Sequence, residues 1–127
     1  MRPDVVLIVE DNSLNLELMR DILEVHGFEI LAAQTGRQGL ELACERAPDL
    51  VLLDVQLSDL DGLEILRRLR SDHQTMHIPI VAVTAFAMPD DRSRFLEAGC
   101  DQYVPKPIDV KAWPDQLRKL CRKSRQN

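Results

Sequence analysis

Short runs of apolar residues alternate along the chain with longer segments in which apolar residues recur every three or four positions. Two of the runs, Val5–Val9 and Leu50–Leu53, are apolar at every position, which is typical of strands buried on both faces of a parallel sheet. Further strands are predicted at residues 28–33, 80–84 and 103–104. Five strands joined to helical segments by short connections predict an α/β fold, a doubly wound parallel sheet with right-handed crossovers.

The helical segments are bounded by residues that start or stop helices. The first carries Leu14, Leu18, Ile22 and Val25 at helical spacing and stops at Gly27. The others are expected from Gly36 to before Pro48, from Gly62 to about Ser71, from Pro89 to Ala98, and after a cap at Asp109.

Length and composition favour one soluble globular domain, which we expect to span residues 1–127. No apolar run approaches the length of a membrane span, and the N-terminus lacks the features of a signal peptide, so we expect a cytoplasmic protein without membrane insertion. The net charge of −5 disfavours nucleic-acid binding. A basic cluster in the last segment is interpreted as complementing the dipole of a final helix; it comprises Arg118, Lys119, Arg122, Lys123 and Arg125.

Cysteines and histidines do not have the spacing of a disulfide framework or a zinc site. The three cysteines are odd in number and far apart, so we expect free thiols in the core or on the surface: Cys44, Cys100 and Cys121. The histidines fall in turns or at helix ends and are expected at the surface: His26, His73 and His77.

Polar side chains stand at the ends of four predicted strands: Glu10-Asp11, Asp54, Thr84 and Lys106. Each alone fits an ordinary role, such as a helix cap or a surface charge, but the carboxyl ends of parallel strands share one edge, so these side chains can converge. Three carboxylates within about 5 Å would repel by roughly 3 kcal/mol per pair at an effective dielectric near 20, so the site needs a cation. Hard oxygen ligands indicate Mg²⁺. A cation, an ammonium and a hydroxyl around Asp54 match phosphoryl transfer, with Asp54 as the nucleophile that forms an acyl phosphate.

At these residues the chain resembles the receiver domains of two-component response regulators, the CheY-like superfamily. The matching motifs are Val-Glu10-Asp11-Asn12, Leu-Leu-Asp54-Val, Asp61-Gly62, Val-Thr84-Ala85 and Tyr103-Val-Pro-Lys106-Pro107. The resemblance implies the strand order 2-1-3-4-5 with five flanking helices. It also implies that a phosphoryl group passes from a phosphohistidine to Asp54, and that Glu10, Asp11, Asp54 and the backbone carbonyl of Gln56 bind Mg²⁺.

The resemblance assigns further roles around the phosphoryl group. Thr84 and Lys106 are expected to contact its oxygens. Tyr103 matches the switch aromatic of the family, whose ring is expected to turn inward when the Thr84 hydroxyl moves toward the phosphoryl group; taken alone, Tyr103 would fit ordinary packing. Signalling is then expected through the surface formed by the fourth helix, the fifth strand and the fifth helix. The Lys106-Pro107 bond resembles the cis peptide of the family.

The partners expected from the resemblance are proteins. Residues 10–15 and 83–88 are most similar to single-domain receivers of the cell-division DivK type and to the receivers of hybrid sensor kinases. The donor is then a histidine kinase or a histidine phosphotransfer protein. Since no output domain follows, we expect the domain to bind a downstream protein or to pass the phosphoryl group on, as a monomer or a weak phosphorylation-linked dimer. We expect no external metabolite to be turned over, so the protein is not predicted to be an enzyme in that sense.

Several residues depart from the family pattern or have an open role. Ser58 replaces a common proline after the phosphorylated aspartate, which is expected to loosen that loop and leave the site unaffected. Trp113-Pro114 falls in the last helix, where a late start or a kink is expected. Trp113 is either ordinary packing or an exposed partner anchor. Phe86 and Met88 are interpreted as packing residues near the fourth helix.

Three other functions remain as alternatives. A pseudo-receiver would bind partners without phosphorylation, but such modules usually lose one of the five site residues that are intact here. A phosphatase of the haloacid dehalogenase type needs a second aspartate where this chain has Gln56. A flavin-binding flavodoxin-like protein needs a Ser/Thr/Gly-rich phosphate loop after the first strand, and this chain has none there.

Overall fold

A computed structural model describes residues 2–85, 89–106 and 111–126 of the protein. Within these ranges, five parallel strands alternate with five helices, and all ten predicted elements form. In chain order they are β1 (Val5–Val9), α1 (Ser13–Val25), β2 (Glu29–Ala33), α2 (Gly36–Arg46), β3 (Leu50–Asp54), α3 (Gly62–Ser71), β4 (Ile80–Thr84), α4 (Pro89–Glu97), β5 (Gln102–Pro105) and α5 (Trp113–Gln126). No helix in this part of the chain is both long enough and apolar enough to cross a bilayer.

The strands form one sheet in the order β2-β1-β3-β4-β5, which confirms the expected topology. Every neighbouring pair is parallel, so all five strands end at the same edge. β3 lies at the centre, and all five of its residues are buried. This position explains why its sequence is apolar throughout rather than alternating, because helices cover both faces of the sheet at that strand.

Alternate residues along each strand face two separate hydrophobic layers. Leu7, Val51 and Leu53 point to the layer that contains the buried residues of α2, α3 and α4. Their neighbours Ile8 and Leu52 point to the opposite layer, which is filled from α1 and α5. The sheet is therefore covered on both sides, as a doubly wound fold requires.

Helix α1 forms where it was predicted, but most of the apolar residues that indicated it face outward. Leu14, Leu18 and Val25 are 74%, 59% and 83% exposed. The residues that α1 buries against the sheet are instead Leu16, Met19 and Leu23. The helix thus carries apolar residues on both faces, and those of the outer face are exposed in the described part of the chain.

Helix α5 begins at Trp113, which confirms the predicted late start. Pro114 then falls in the first turn, where its missing N–H would have no partner within the helix. The Trp113 side chain is only 2% exposed and packs in the layer with Leu117 and Cys121, so the interpretation as packing is confirmed and that of an exposed anchor is wrong. The predictions made for Phe86, Met88, Pro107 and Asp109 concern positions outside the described residues.

Candidate functional site

Strand register brings the predicted polar residues together at one edge of the sheet. Glu10 and Asp54 each follow the last residue pair between β1 and β3. Thr84 ends β4 beside β5, and Lys106 follows β5, with its backbone N–H donating to the Thr84 carbonyl at 2.8 Å. Residues separated by up to 96 positions in the sequence therefore meet at the carboxyl ends of four strands.

Three carboxylates and one ammonium form the centre of the site. Ligand oxygens of Glu10, Asp11 and Asp54 lie within 4.8 Å of one another. The Lys106 Nζ atom is 2.7 Å from Glu10 Oε1 and 3.9 Å from Asp54 Oδ2. Glu10 is fully buried and Asp54 is 8% exposed, while Asp11 is half-buried at the rim. The ammonium thus neutralises part, but not all, of the negative charge.

Burial and mutual proximity change the acidity of the two inner carboxyl groups in opposite directions. Burial, reinforced by the neighbouring Glu10 carboxylate, raises the pKa of Asp54 to about 7. Burial also opposes the charge of Glu10, but its contacts with Asp54 and Lys106 outweigh that effect and keep the pKa of Glu10 below its usual value. In the absence of a cation, Asp54 is therefore the member of the pair that holds a proton more readily.

The donor set fits a small hard cation. The Oε2 atom of Glu10 is buried and has no hydrogen-bond partner in the described part of the chain. An uncompensated carboxylate oxygen in a buried position is costly, and a divalent cation bound by carboxylates would satisfy it. Gln56 lies just after β3, and its backbone N–H donates to Asp54 Oδ1 at 3.1 Å. That hydrogen bond orients the Asp54 carboxylate; the metal-binding role of the Gln56 carbonyl stays a prediction.

Thr84 and Tyr103 lie on the side of the site formed by β4 and β5. Thr84 is fully buried, and Tyr103 is 8% exposed, with its ring centroid 5.5 Å from that of Phe95 on α4. Burial raises the pKa of Tyr103, and the Thr84 hydroxyl offsets part of that rise. The aromatic ring thus occupies the inward position next to Thr84; its predicted movement with phosphorylation stays a prediction.

The loop between β3 and α3 contributes a contact that the sequence did not suggest. The Ser58 hydroxyl donates to Asp11 Oδ2 at 2.7 Å, so the expectation that Ser58 leaves the site unaffected is wrong. The next residue, Asp59, accepts from the backbone N–H groups of Gly36 and Arg37 at 2.8 and 3.1 Å. The signal available in the sequence was a hydroxyl in a loop that leaves the same sheet edge as the acidic residues.

A cavity of about 290 Å³ opens beside Thr84, between the β3–α3 loop and α4. Gln56, Asp61 and Arg94 are among the residues that line it.

The histidines predicted to be surface residues are exposed, and Cys44, Cys100 and Cys121 are free thiols, as expected. In the described part of the chain, Glu10, Asp11 and Asp54 form the group of His, Cys, Asp and Glu side chains that lies close enough together to hold a metal ion.

Comparison with known proteins gives one consistent family. The model of the response regulator receiver domain matches residues 6–118. The polar-differentiation response regulator DivK of Brucella anthropi is 44% identical over 116 residues, which cover 91% of this chain and 94% of that protein. DivK of Brucella ovis is 44% identical over 113 residues, covering 89% and 92% of the two chains.

Solved structures with the same fold include receivers of two kinds. A CheY-like response regulator receiver domain from Methanospirillum hungatei superposes with a TM-score of 0.90 at 26% identity, covering 98% of both chains. The receiver domain of a sensor histidine kinase from Pseudomonas aeruginosa superposes with a TM-score of 0.82 at 28% identity, covering 98% of this chain and 99% of that one. That second structure has a magnesium ion coordinated in its active site cleft.

Proposed function

Because this chain belongs to the response regulator receiver domain family, we propose that it accepts a phosphoryl group from a phosphohistidine onto Asp54. The observation that carries the proposal is the position of Asp54 at the end of the central strand, next to two further carboxylates and 3.9 Å from the Lys106 ammonium. A nucleophilic carboxylate, a lysine and a set of oxygen ligands for a cation are the groups that phosphoryl transfer to an aspartate uses.

The reaction exchanges one bond to phosphorus for another. A carboxylate oxygen of Asp54 attacks the phosphorus atom in line with the leaving nitrogen; the O–P bond forms as the P–N bond breaks. The leaving imidazole keeps the bonding electron pair and takes up a proton. The Gln56 N–H holds Asp54 Oδ1 at 3.1 Å, which leaves Oδ2, on the Lys106 side, as the attacking oxygen.

A divalent cation is part of the proposal. Glu10, Asp11, Asp54 and the Gln56 carbonyl would hold Mg²⁺, which when bound supplies positive charge to the phosphoryl oxygens. The buried, unpaired Oε2 atom of Glu10 supports this assignment, as does the short distance between the three carboxylates. The ion would also favour the charged, nucleophilic form of Asp54, since a nearby cation lowers the pKa of a carboxyl group.

Thr84, Lys106 and Tyr103 receive the remaining roles. Lys106, whose side chain is 19% exposed, would move part of its contact from Glu10 to a phosphoryl oxygen. The Thr84 hydroxyl would contact another oxygen of the same group, and the cavity beside it gives that group space. The Tyr103 ring is already buried next to Thr84, and movement of the Thr84 hydroxyl toward the phosphoryl group would favour this inward position over an outward one. Altered packing of α4, β5 and α5 would then change which proteins the domain binds.

The partners in this proposal are a phosphohistidine donor, which is a histidine kinase or a histidine phosphotransfer protein, and a downstream protein. No external metabolite is consumed. The Brucella relatives are named polar-differentiation response regulators, and a role in cell division or polarity is the corresponding proposal for this chain. The phosphoryl group would be lost again by hydrolysis of the acyl phosphate within the same site.

Intact-protein mass spectrometry after incubation with acetyl phosphate tests the acceptor role. We expect a gain of one phosphoryl mass that requires Mg²⁺ and is absent in Asp54→Asn. The control is Asp21→Asn, an exposed acid on α1 outside the site, which should gain the same mass as the wild-type protein. A folded wild-type protein that gains no mass would contradict the proposal and favour a pseudo-receiver. A gain that survives in Asp54→Asn would contradict the assignment of Asp54 as the acceptor.

A further inference from the structure

The side chain of Asp11 accepts a hydrogen bond from a residue outside the five site residues Glu10, Asp11, Asp54, Thr84 and Lys106. Ser58 Oγ lies 2.7 Å from Asp11 Oδ2, although the two residues are 47 positions apart. Glu10, in contrast, is held by the Lys106 ammonium at 2.7 Å. Each of the two acids that follow β1 is therefore fixed by a different donor from the opposite side of the site.

The position of Ser58 is set by its neighbour. Both carboxylate oxygens of Asp59 accept backbone N–H groups at the start of α2, from Gly36 at 2.8 Å and from Arg37 at 3.1 Å. The Gly36 N–H, the larger influence, and the Arg37 N–H hold the pKa of Asp59 below its usual value. Asp59 thus ties the β3–α3 loop to α2, and the Ser58 hydroxyl is presented toward Asp11 from a fixed backbone.

We infer that Ser58 is a positioning residue that orients Asp11 for the divalent cation. This inference rests on the proposed function. A carboxylate has two oxygens, and a hydroxyl bound to Oδ2 fixes the plane of the group while Oδ1 stays available as a ligand. Asp11 is only half-buried, so packing alone does not fix its rotamer. The hydrogen bond restricts the Asp11 side chain before the cation binds. Less side-chain conformational entropy is therefore lost on binding, which favours binding.

Proline, the common residue at this position in the receivers that this chain resembles, has no hydroxyl and cannot make the contact. Proline would restrict the backbone of the loop, whereas Ser58 donates a hydrogen bond directly to Asp11, a proposed ligand of the cation. The inferred consequence is that the affinity of this chain for Mg²⁺ depends on a side chain in the β3–α3 loop.

Isothermal titration of Mg²⁺ into the unphosphorylated protein tests the inference without any activity assay. We compare the wild-type protein with Ser58→Ala, which lacks the hydroxyl, and Ser58→Thr, which keeps it. Ser71→Ala is the matched control, since the Ser71 hydroxyl bonds the Arg68 carbonyl at 3.1 Å at the opposite edge of the sheet. We expect Ser58→Ala to raise the Kd for Mg²⁺ about three- to tenfold. Removing the hydrogen-bond partner of a metal ligand typically weakens metal binding by about 10- to 100-fold, and a smaller effect is expected here because Asp11 is one of several ligands.

Ser58→Thr and Ser71→Ala should bind within about twofold of the wild-type protein, because each keeps the Asp11 hydrogen bond. The midpoint of thermal unfolding without metal should fall by only about 2–4 °C in Ser58→Ala, as expected for the loss of one exposed hydrogen bond. The variant then stays folded during the titration, which separates orientation of Asp11 from a general loss of structure. Equal Kd values in Ser58→Ala and the wild-type protein would overturn the inference alone. A wild-type protein that binds no Mg²⁺ would overturn the metal site of the proposed function as well.

Discussion

Asp54, Glu10 and Asp11 place like charges side by side at the carboxyl ends of β1 and β3, where Glu10 and Asp54 are buried from water. At a separation of 4.8 Å, two carboxylates repel by roughly 3 kcal/mol at an effective dielectric near 20. Lys106 offsets part of this repulsion through its contact with Glu10. What remains opposes folding in the metal-free protein, so the residues that favour chemistry at this edge reduce stability there.

Replacing Asp54 by asparagine should therefore stabilise the metal-free protein. We expect the free energy of unfolding above neutral pH to rise by about 1–2 kcal/mol, because the amide removes one buried negative charge and its oxygen still accepts the Gln56 N–H. Urea unfolding with and without Mg²⁺ measures the effect, and Mg²⁺ should stabilise the wild-type protein more than the variant. Asp21→Asn, at an exposed position, should lie within about 0.5 kcal/mol of the wild-type protein.

A metal-free Asp54→Asn protein that unfolds at a lower urea concentration than the wild-type protein would contradict this electrostatic account. In that case, contacts made by the Asp54 carboxylate would outweigh its repulsion from Glu10 and Asp11.

Among the elements, the strands and helices were predictable because the residues that each element buries leave a characteristic spacing of apolar positions in the sequence. β3 is apolar at four consecutive positions because helices cover both of its faces. Helix α1 could be predicted but its orientation could not: Leu14 and Leu18 have the same spacing as a buried stripe, yet Leu16 and Met19 face the core. The order of the strands came from the family resemblance, since periodicity contains no information on neighbours.

The residues of the site were predictable for a similar reason, and the loop contacts were not. Acids and a lysine at strand ends converge in any parallel sheet, so their juxtaposition followed from the strand assignment. The contact of Ser58 with Asp11 depends on how the β3–α3 loop lies on α2, and that arrangement depends on Asp59 meeting the N–H groups of Gly36 and Arg37. No spacing rule connects residues 23 positions apart in a loop and a helix start.

The link between the β3–α3 loop and α2 gives a prediction at this scale. Asp59→Ala should accelerate amide hydrogen exchange at Gly36 and Arg37 several-fold, because both N–H groups lose their side-chain acceptor. The Asn15 amide, which donates to the Asn12 side chain at 3.0 Å on α1, should exchange at the wild-type rate. Unchanged exchange at Gly36 and Arg37, measured by NMR, would show that Asp59 does not hold the loop on α2.

Taken as a whole, the sheet has a reactive edge and an edge that fixes the structure. The carboxyl ends of the strands carry the acidic cluster and Lys106. At the amino ends, Asp49 accepts the Val5 N–H at 2.8 Å and two hydrogen bonds from Arg2. Arg2 and Asp49 thus pair opposite charges at this second edge, and the Asp49 carboxylate also holds a backbone N–H, so these groups stabilise the fold instead of repelling one another.

Arg70 makes the most extensive of these amino-edge contacts among the described residues. Its guanidinium donates to the carbonyls of Gly99, Met76 and Ile78 at 2.9, 3.1 and 2.6 Å, and to Asp101 Oδ2 at 3.0 Å. One side chain at the end of α3 thereby joins the segments that lead into β4 and β5. A lysine cannot reproduce this pattern, because a single ammonium lacks the planar fork of a guanidinium.

Arg70→Met should lower the free energy of unfolding by about 2–3 kcal/mol, because it leaves part-buried carbonyl groups without a donor, and Arg70→Lys should recover less than half of the loss. Arg68→Met is the matched control: among the described residues, the Arg68 side chain pairs with Glu64 alone, on the exposed face of α3, and its loss should cost at most about 0.5 kcal/mol. Urea unfolding measures all three variants. Since Arg70 lies at the edge opposite Asp54, the folded Arg70→Met protein should still gain one phosphoryl mass from acetyl phosphate with Mg²⁺. An Arg70→Met protein as stable as Arg68→Met would contradict the stabilising role of Arg70. A folded Arg70→Met protein that gains no phosphoryl mass would contradict the separation between the stabilising edge and the reactive edge of the sheet.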